Sequence, residues 1–288
     1  MKVLITASTG ELGRKIIDSL ISLGFPKFRI IAGARNVEKA KEIYDDIEVR
    51  HCDFDDKNSL LSAFDLCSLV HIIPTLDLPE KRIVQMNDTI DAAKEKSVHR
   101  ITWSGLVASE KTSKFSIAPY FVYSECKLMQ SGLDYTILRN GMYFDPVFDW
   151  IPDIIKMKRL KYPVSRGKIA YISREDIAYA TAKVISEDGH ENKEYNLTSP
   201  RAYSMEELAA LIGGFTGTDV SFKKISDDEY RLLCYNDGLP EPITEILLTM
   251  YKAVDNNEFL ASSDFETITG RQALSPNKYL KKYYKAQV

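Results

Sequence analysis

The sequence predicts an α/β fold: a doubly wound parallel sheet followed by a smaller, mostly helical C-terminal domain. Three observations carry that expectation. Over roughly the first 140 residues, short apolar runs alternate with stretches whose apolar residues recur at helical spacing, the pattern of a parallel sheet covered on both faces. After Asn140 the rhythm breaks, and helix-start signals dominate. The composition, 44% hydrophobic and 27% charged, is that of a packed chain, and 288 residues suit one large domain with an appendage.

Each element follows from local pattern. Val3 to Thr6 forms the first short strand; Leu12, Ile16, Ile17 and Leu20 then repeat at helical spacing until Leu23, and Gly24 stops the helix. Phe28 to Ala34 is the second strand, Val37 to Tyr44 a helix, Ile47 to Cys52 the third strand and Asn58 to Phe64 a short helix. Leu69 to Ile73 is a fourth strand ended by Pro74, followed by a long helix from about Glu80 to Lys96 and a fifth strand, Arg100 to Trp103. A helix near Tyr120 to Gln130 leads into a sixth strand, Tyr135 to Arg139. The aromatic- and proline-rich stretch Met142 to Lys168 reads as an irregular segment over the sheet edge. Ser173 caps a helix to Ile185, Ser204/Glu207 and Ser226/Glu229 are capping boxes, and Ser275-Pro276 opens a last helix. The expected division is a nucleotide-binding domain over 1–145 and a substrate domain over 146–288, with residues of about 168–200 returning to the first.

Charge and cysteine usage exclude several classes. A net charge of -3 offers no basic field for displacing counterions from nucleic acid phosphates. Cys52, Cys67, Cys126 and Cys234 stand apart without metal-ligand spacing, so they read as reduced thiols and no metal site is expected. Met1-Lys2 runs straight into a strand without a signal-peptide pattern, and no run of about 18 apolar residues could span a bilayer. A cytoplasmic protein with a small-molecule partner is expected; an oligomer is compatible with the sequence.

The strongest local signal is T-A-S-T-G-E-L-G, Thr6 to Gly13, at the junction of the first strand and first helix. A dinucleotide pyrophosphate fits this junction because a helix N-terminus presents unpaired amides and a positive dipole end. Gly10 lets the backbone approach and Gly13 lets helix and strand pack, although Ala7 stands where a glycine is usual. NAD-binding sheets of this Rossmann type place a carboxylate at the end of the second strand to hold the ribose 2′-hydroxyl. Here that strand ends Ala32-Gly33-Ala34 and Arg35 follows, a guanidinium suited to a 2′-phosphate, so NADP(H) is the expected cofactor. Asp53, closing H-C-D-F-D, is placed either to face the adenine or to cap a helix.

These stretches, with A-G-A-R at Ala32, I-D-A-A-K-E at Ile90, R-I-T-W-S-G at Arg100, S-G-L-D-Y-T-I-L-R-N-G at Ser131 and S-R-E-D-I-A at Ser173, occur in a family's order. The chain resembles the atypical short-chain dehydrogenase/reductases, and within them the NmrA-like group that includes bacterial NADPH-dependent quinone and dye reductases. The resemblance implies an NADP site with the Gly10, Glu11 and Leu12 amides at the pyrophosphate and Arg35 at the 2′-phosphate, and Thr9 is counted among the cofactor-binding residues. It also implies Ile73 and Pro74 beside the ribose, and Asn140 to Tyr143 near the nicotinamide.

Superfamily reductases and epimerases use a Tyr-x-x-x-Lys pair, in which the lysine lowers the phenol pKa for proton transfer. Tyr123 and Lys127 have that spacing, but the family lysine lies about ten residues before the following S-G, and Lys127 lies four before Ser131. The in-register positions are Ile117 and Phe121, so Tyr123 and Lys127 read as a decoy. Ser104 matches the superfamily's catalytic serine; a loop or capping serine is the plain alternative. Met142, Tyr143, Phe144, Phe148 and Trp150 could line a flat apolar pocket or simply fill core. Without a dyad, the expected chemistry is hydride transfer from NADPH to a quinone-like or aromatic acceptor. A nucleotide-sugar epimerase-like enzyme and a non-catalytic NADP-sensing regulator are the alternatives.

Overall fold

In a computed structural model, residues 2–284 are described. Strand β1 (Val3–Ile5) enters helix α1 (Glu11–Ser22); then come β2 (Ile30–Ala34), α2 (Val37–Ile43), β3 (Glu48–His51), α3 (Lys57–Ala63), β4 (Leu69–Ile72) and α4 (Pro79–Glu95). Strand β5 (Arg100–Leu106), α5 (Ala118–Met129) and β6 (Asp134–Asn140) complete the expected alternation. The sheet, of seven strands among the described residues, has the order β3-β2-β1-β4-β5-β6-β8, where β8 is Lys193–Leu197, and every pairing is parallel. The chain moves outward from β1 to β2 and β3, then returns to the other side of β1 for β4. That reversal opens a crevice past the carboxyl ends of β1 and β4, where ligands of such sheets bind.

Alternation along the strands divides the core in two. Ile5 and Leu69 face a layer that includes Ile16, Ile17 and Leu20 of α1. Ile177, Ala180 and Val184 of α8 (Arg174–Ser186) complete that layer. Val70, Ile72, Ile101 and Trp103 face the opposite layer, with Leu60 of α3, Ile90 of α4 and Phe121 of α5. Ser173 caps α8 through the Asp176 amide, and the two capping boxes form as the sequence predicts, at α9 (Met205–Thr216) and α10 (Asp227–Asn236).

Two stretches differ from the sequence expectation. Strand β8 was not foreseen because it is an edge strand, with Lys193 and Glu194 exposed, so it lacks the apolar run that marks the inner strands. The segment 142–168 is not irregular: it holds α6 (Asp145–Asp149), α7 (Ile151–Met157) and β7 (Arg159–Tyr162). Two of its three prolines start helices rather than interrupt them, Pro146 and Pro152 each lying in a first turn where a missing amide costs nothing, and Pro163 follows β7. Strand β7 pairs in parallel with β9 (Ser221–Lys224), and α11 (Glu241–Asp255) and α12 (Phe265–Thr269) follow. Helix α13 (Pro276–Tyr283) runs back to the start of α8. Tyr279 packs edge-on against Phe144 (4.7 Å) and tilted against Phe148 (5.9 Å), whose rings also touch each other, and it donates to Asp145. The Leu274 amide donates to the buried Asp176 carboxylate (2.7 Å), and Arg271 forms an ion pair with its other oxygen (2.8 Å) without a well-angled hydrogen bond. Lys282 and Tyr283 both reach Glu175. No described helix is long and apolar enough to cross a membrane.

Candidate active site

Between β1 and α1, residues 6–10 form a loop pinned from three sides. The Thr6 amide and hydroxyl both donate to the His71 carbonyl (3.0 and 3.1 Å), and the hydroxyl accepts from the Ile73 amide (2.9 Å), tying the ends of β1 and β4 together. The Ser8 amide bonds the Gly33 carbonyl (3.1 Å), and the Tyr44 phenol donates to the Ser8 carbonyl (2.6 Å). Burial, mainly, pushes that phenol up to about 12, so it stays a donor. Ala7 takes φ 47°, the left-handed region that glycine favours, which accounts for the usual glycine at this position. A Cβ at Gly13 would lie 2.5 Å from the Ala7 carbonyl oxygen, so the turn itself demands glycine there. At Gly10 a Cβ would meet only that oxygen, at 3.3 Å, a tight contact that a shift of a few tenths of an ångström relieves, so the turn demands glycine here far less than at Gly13.

The first turn of α1 supplies the donors. Gly10 spends its amide on the Ala7 carbonyl (3.0 Å), whereas the Glu11 and Leu12 amides have no backbone partner among the described residues. Thr9 is half-buried, its carbonyl accepting from Arg14 Nε (3.0 Å), and the buried Ser8 hydroxyl is unpartnered among the described residues. A cradle without a Cβ, two spare amides and an orphaned hydroxyl at a helix dipole fit a pyrophosphate.

Arg35 follows β2 at the same edge. It is exposed, with no ion pair or hydrogen bond among the described residues, leaving the whole guanidinium fork for a ligand. Asp53 lies beside it at the end of β3, but the structure gives it turn work: its Oδ1 accepts the Asp55 amide (3.0 Å) and its amide donates to Ser59 Oγ (2.9 Å). Asp56, not Asp53, caps α3. Gln85 Nε2 donates to Asp55 (2.8 Å) and Asp77 (2.9 Å), while Gln85 Oε1 accepts from Thr75 (2.8 Å). The loops after β3 and β4 are thereby joined into one wall that includes half-buried Ile73 and Pro74.

At the other end of the crevice, Ser104 is buried one step past the last paired residues of β4 and β5, Ile72 and Trp103. Its Oγ meets His71 Nε2 at 3.2 Å, and His71 Nδ1 meets Thr102 Oγ1 at 2.8 Å. Burial lowers the His71 pKa to about 3, so the imidazole is neutral at working pH. Asn140 closes β6; its buried Oδ1 has no partner among the described residues, and its amide nitrogen reaches the Tyr143 hydroxyl at 3.5 Å. Arg174 stacks 5.0 Å from the centre of the half-buried Tyr143 ring. Sequence reasoning missed His71 and Thr102, although a histidine interrupting the apolar run L-V-H-I-I was a legible signal.

Of the two readings of the aromatic segment, pocket or core, core describes most of it. Phe144 and Phe148 are 0% and 4% exposed and packed on Tyr279, Trp150 points to solvent, and only Met142 and Tyr143 are left half-exposed. Tyr123 lies on α5, where its hydroxyl donates to Asn87 of α4 at 2.9 Å. Lys127, one turn further, makes no hydrogen bond or ion pair with any described residue. All four cysteines are free, and among the described residues no group of three or more His, Cys, Asp or Glu side chains could hold a metal.

Comparison with known proteins places this geometry. Quinone oxidoreductase 2 of Escherichia coli (strain K12) is 32% identical over 246 residues, covering 85% of each chain. The structure of Citrobacter sp. triphenylmethane reductase complexed with NADP(H) superposes with a TM-score of 0.91 at 30% identity, over 98% of this chain and 99% of that one. A Staphylococcus aureus protein described as a nucleoside-diphosphate-sugar epimerase superposes at 0.92 with 30% identity, over 98% and 100%. The model of the NmrA-like family matches residues 1–283, and the chain belongs to that family.

Proposed function

We propose that this protein passes hydride from NADPH to a small quinone-like or aromatic acceptor. The observation that carries the reading is the uncommitted Arg35 guanidinium beside a phosphate-ready loop, with no carboxylate at the end of β2. Support for the reaction comes from the 32% identical quinone oxidoreductase and from the NADP(H)-bound dye reductase.

Bound NADPH would supply the hydride. The chain's own residues do the rest: Glu11 and Leu12 amides take the pyrophosphate, Arg35 the 2′-phosphate, and Ile73 and Pro74 flank the ribose. Asn140 offers a buried carbonyl oxygen and Tyr143 an aromatic face at the nicotinamide end. Tyr123 is hydrogen-bonded to α4, so Ser104 is the hydroxyl placed for the reacting centre. A quinone suits this arrangement because the charge left after hydride transfer resides on an oxygen that one hydrogen bond and solvent can stabilise.

The likeness to the Staphylococcus protein favours a second reading, sugar epimerisation. Stopped-flow absorbance of NADPH at 340 nm with a panel of benzoquinones, naphthoquinones and cationic dyes separates the two. Net cofactor oxidation is expected with at least one acceptor. Tight NADPH binding without oxidation by any of them overturns the reductase reading and leaves an epimerase or a sensor of the NADP pool.

A further inference from the structure

We infer that His71 is a positioning residue whose fixed tautomer leaves the Ser104 hydroxyl proton free to donate to a carbonyl oxygen at the nicotinamide end of the crevice. Three hydrogens serve two contacts: the Thr102 O–H, the Ser104 O–H and the single N–H of a neutral imidazole. In one assignment Thr102 donates to Nδ1 and Nε2–H donates to Ser104 Oγ, so the Ser104 proton is spare. In the other, Nδ1–H donates to Thr102, Ser104 donates to Nε2, and the Thr102 proton is spare.

Burial decides between them. Thr102 is wholly buried, and its hydroxyl has no partner but His71 among the described residues, so a spare proton there is a desolvated donor in the core. Ser104 keeps 4% exposure at the carboxyl edge of the sheet, where a ligand can accept. The separations agree, 2.8 Å at Nδ1 suiting O–H···N and 3.2 Å at Nε2 suiting a longer N–H···O. The accepting carbonyl belongs either to a quinone acceptor or to the cofactor's carboxamide. That part rests on the reductase reading; the tautomer does not.

Histidine labelled with ¹⁵N reports the tautomer in the apo protein, with the resonance assigned through His71→Gln. Protonated Nε2 with bare Nδ1 is expected from pH 5 to pH 8; the reverse tautomer, or an imidazolium in that range, overturns the inference. Thr102→Val, which removes the donor to Nδ1 without touching the ring, should relax the preference.

Rates complete the test, using a benzoquinone and a cationic triphenylmethane dye that carries no carbonyl. A loss of about tenfold or more in Ser104→Ala with the quinone alone assigns the acceptor's carbonyl. Equal losses with both, together with weaker NADPH binding, assign the carboxamide. In either case His71→Leu should reproduce the loss, the double variant should add nothing, and His71→Gln, which keeps an amide N–H, should recover most of it. Unchanged rates and NADPH affinity in Ser104→Ala, or additive losses, overturn the inference. A wild type that oxidises NADPH with neither acceptor ends the reductase reading, while the tautomer and the NADPH affinities still decide this one.

Discussion

Three side chains carry separable expectations. Arg35→Ala should erase a preference for NADPH over NADH of at least about tenfold, since a charge-assisted contact to phosphate contributes roughly 1.5 to 3 kcal/mol. Quenching of protein fluorescence measures both affinities, and equal wild-type affinities would remove Arg35 from the site. Tyr123→Phe should leave quinone turnover within a few-fold of wild type, because the phenol bonds Asn87; loss of a true general acid costs roughly 10²- to 10⁴-fold. His71 has a folded pKa of about 3 against an ordinary 6.5, so the folded state resists the proton that the unfolded chain accepts. Its stabilising contribution is therefore full above pH 6.5 and is lost as pH falls toward 3, at no more than about 1.4 kcal/mol per pH unit. Half-buried His190, also shifted down by burial, adds the same sign. Melting temperatures from pH 7 to pH 5 should fall less steeply in His71→Leu than in wild type, and parallel curves would contradict the shift. The places of Arg35 and Gly10 beside the β1–α1 loop were legible in the sequence because they stand beside a motif whose spacing fixes their position. His71 reaches Ser104 only through pairing of β4 with β5, 33 residues away, which no local pattern reports.

At the level of elements, the start of α1 separates fold from function. Gly10→Val should leave the thermal transition near wild type and abolish cofactor binding. Gly13→Val should lower stability by several kcal/mol, because a branched side chain must displace the Ala7 carbonyl. Circular dichroism melts with parallel NADPH titration test the pair; equal destabilisation by both would show that Gly10 is a packing residue. The inner strands and long helices were readable because burial on both faces of a parallel sheet forces apolar runs, and capping chemistry marks helix starts. Strand β8 was not, since an edge is free to be polar, and α6 and α7 were not, since Pro146 and Pro152 resemble breakers until their first-turn positions are known.

Across the whole molecule, the back half holds the front in place. Asp255 accepts the amides of Ser165, Arg166 and Gly167, and Glu258 takes the Lys114 amide together with the Ser113 hydroxyl. One turn thus fixes both the β5–α5 loop and the chain leading to α8. The α13 clasp adds the bonds to Asp176 and Glu175. Burial pushes the Asp176 carboxyl up, while the Leu274 amide, Arg271 and the Ser173 hydroxyl pull it down, so losing the first two leaves a buried acid held by Ser173 alone. Truncation after Gly270 should destabilise the protein by several kcal/mol and reduce soluble yield; an unchanged melting temperature would show the clasp to be ornamental. The same clasp has a consequence for synthesis. Helix α8 is complete at Ser186 and its restraints end near Tyr283, so a ribosome adding about 5–20 residues per second leaves the gap open for roughly 5 to 20 s. During that interval the Phe144–Phe148 ring pair lacks its Tyr279 cover, and a nascent chain in this state presents apolar surface to any chaperone waiting at the exit tunnel.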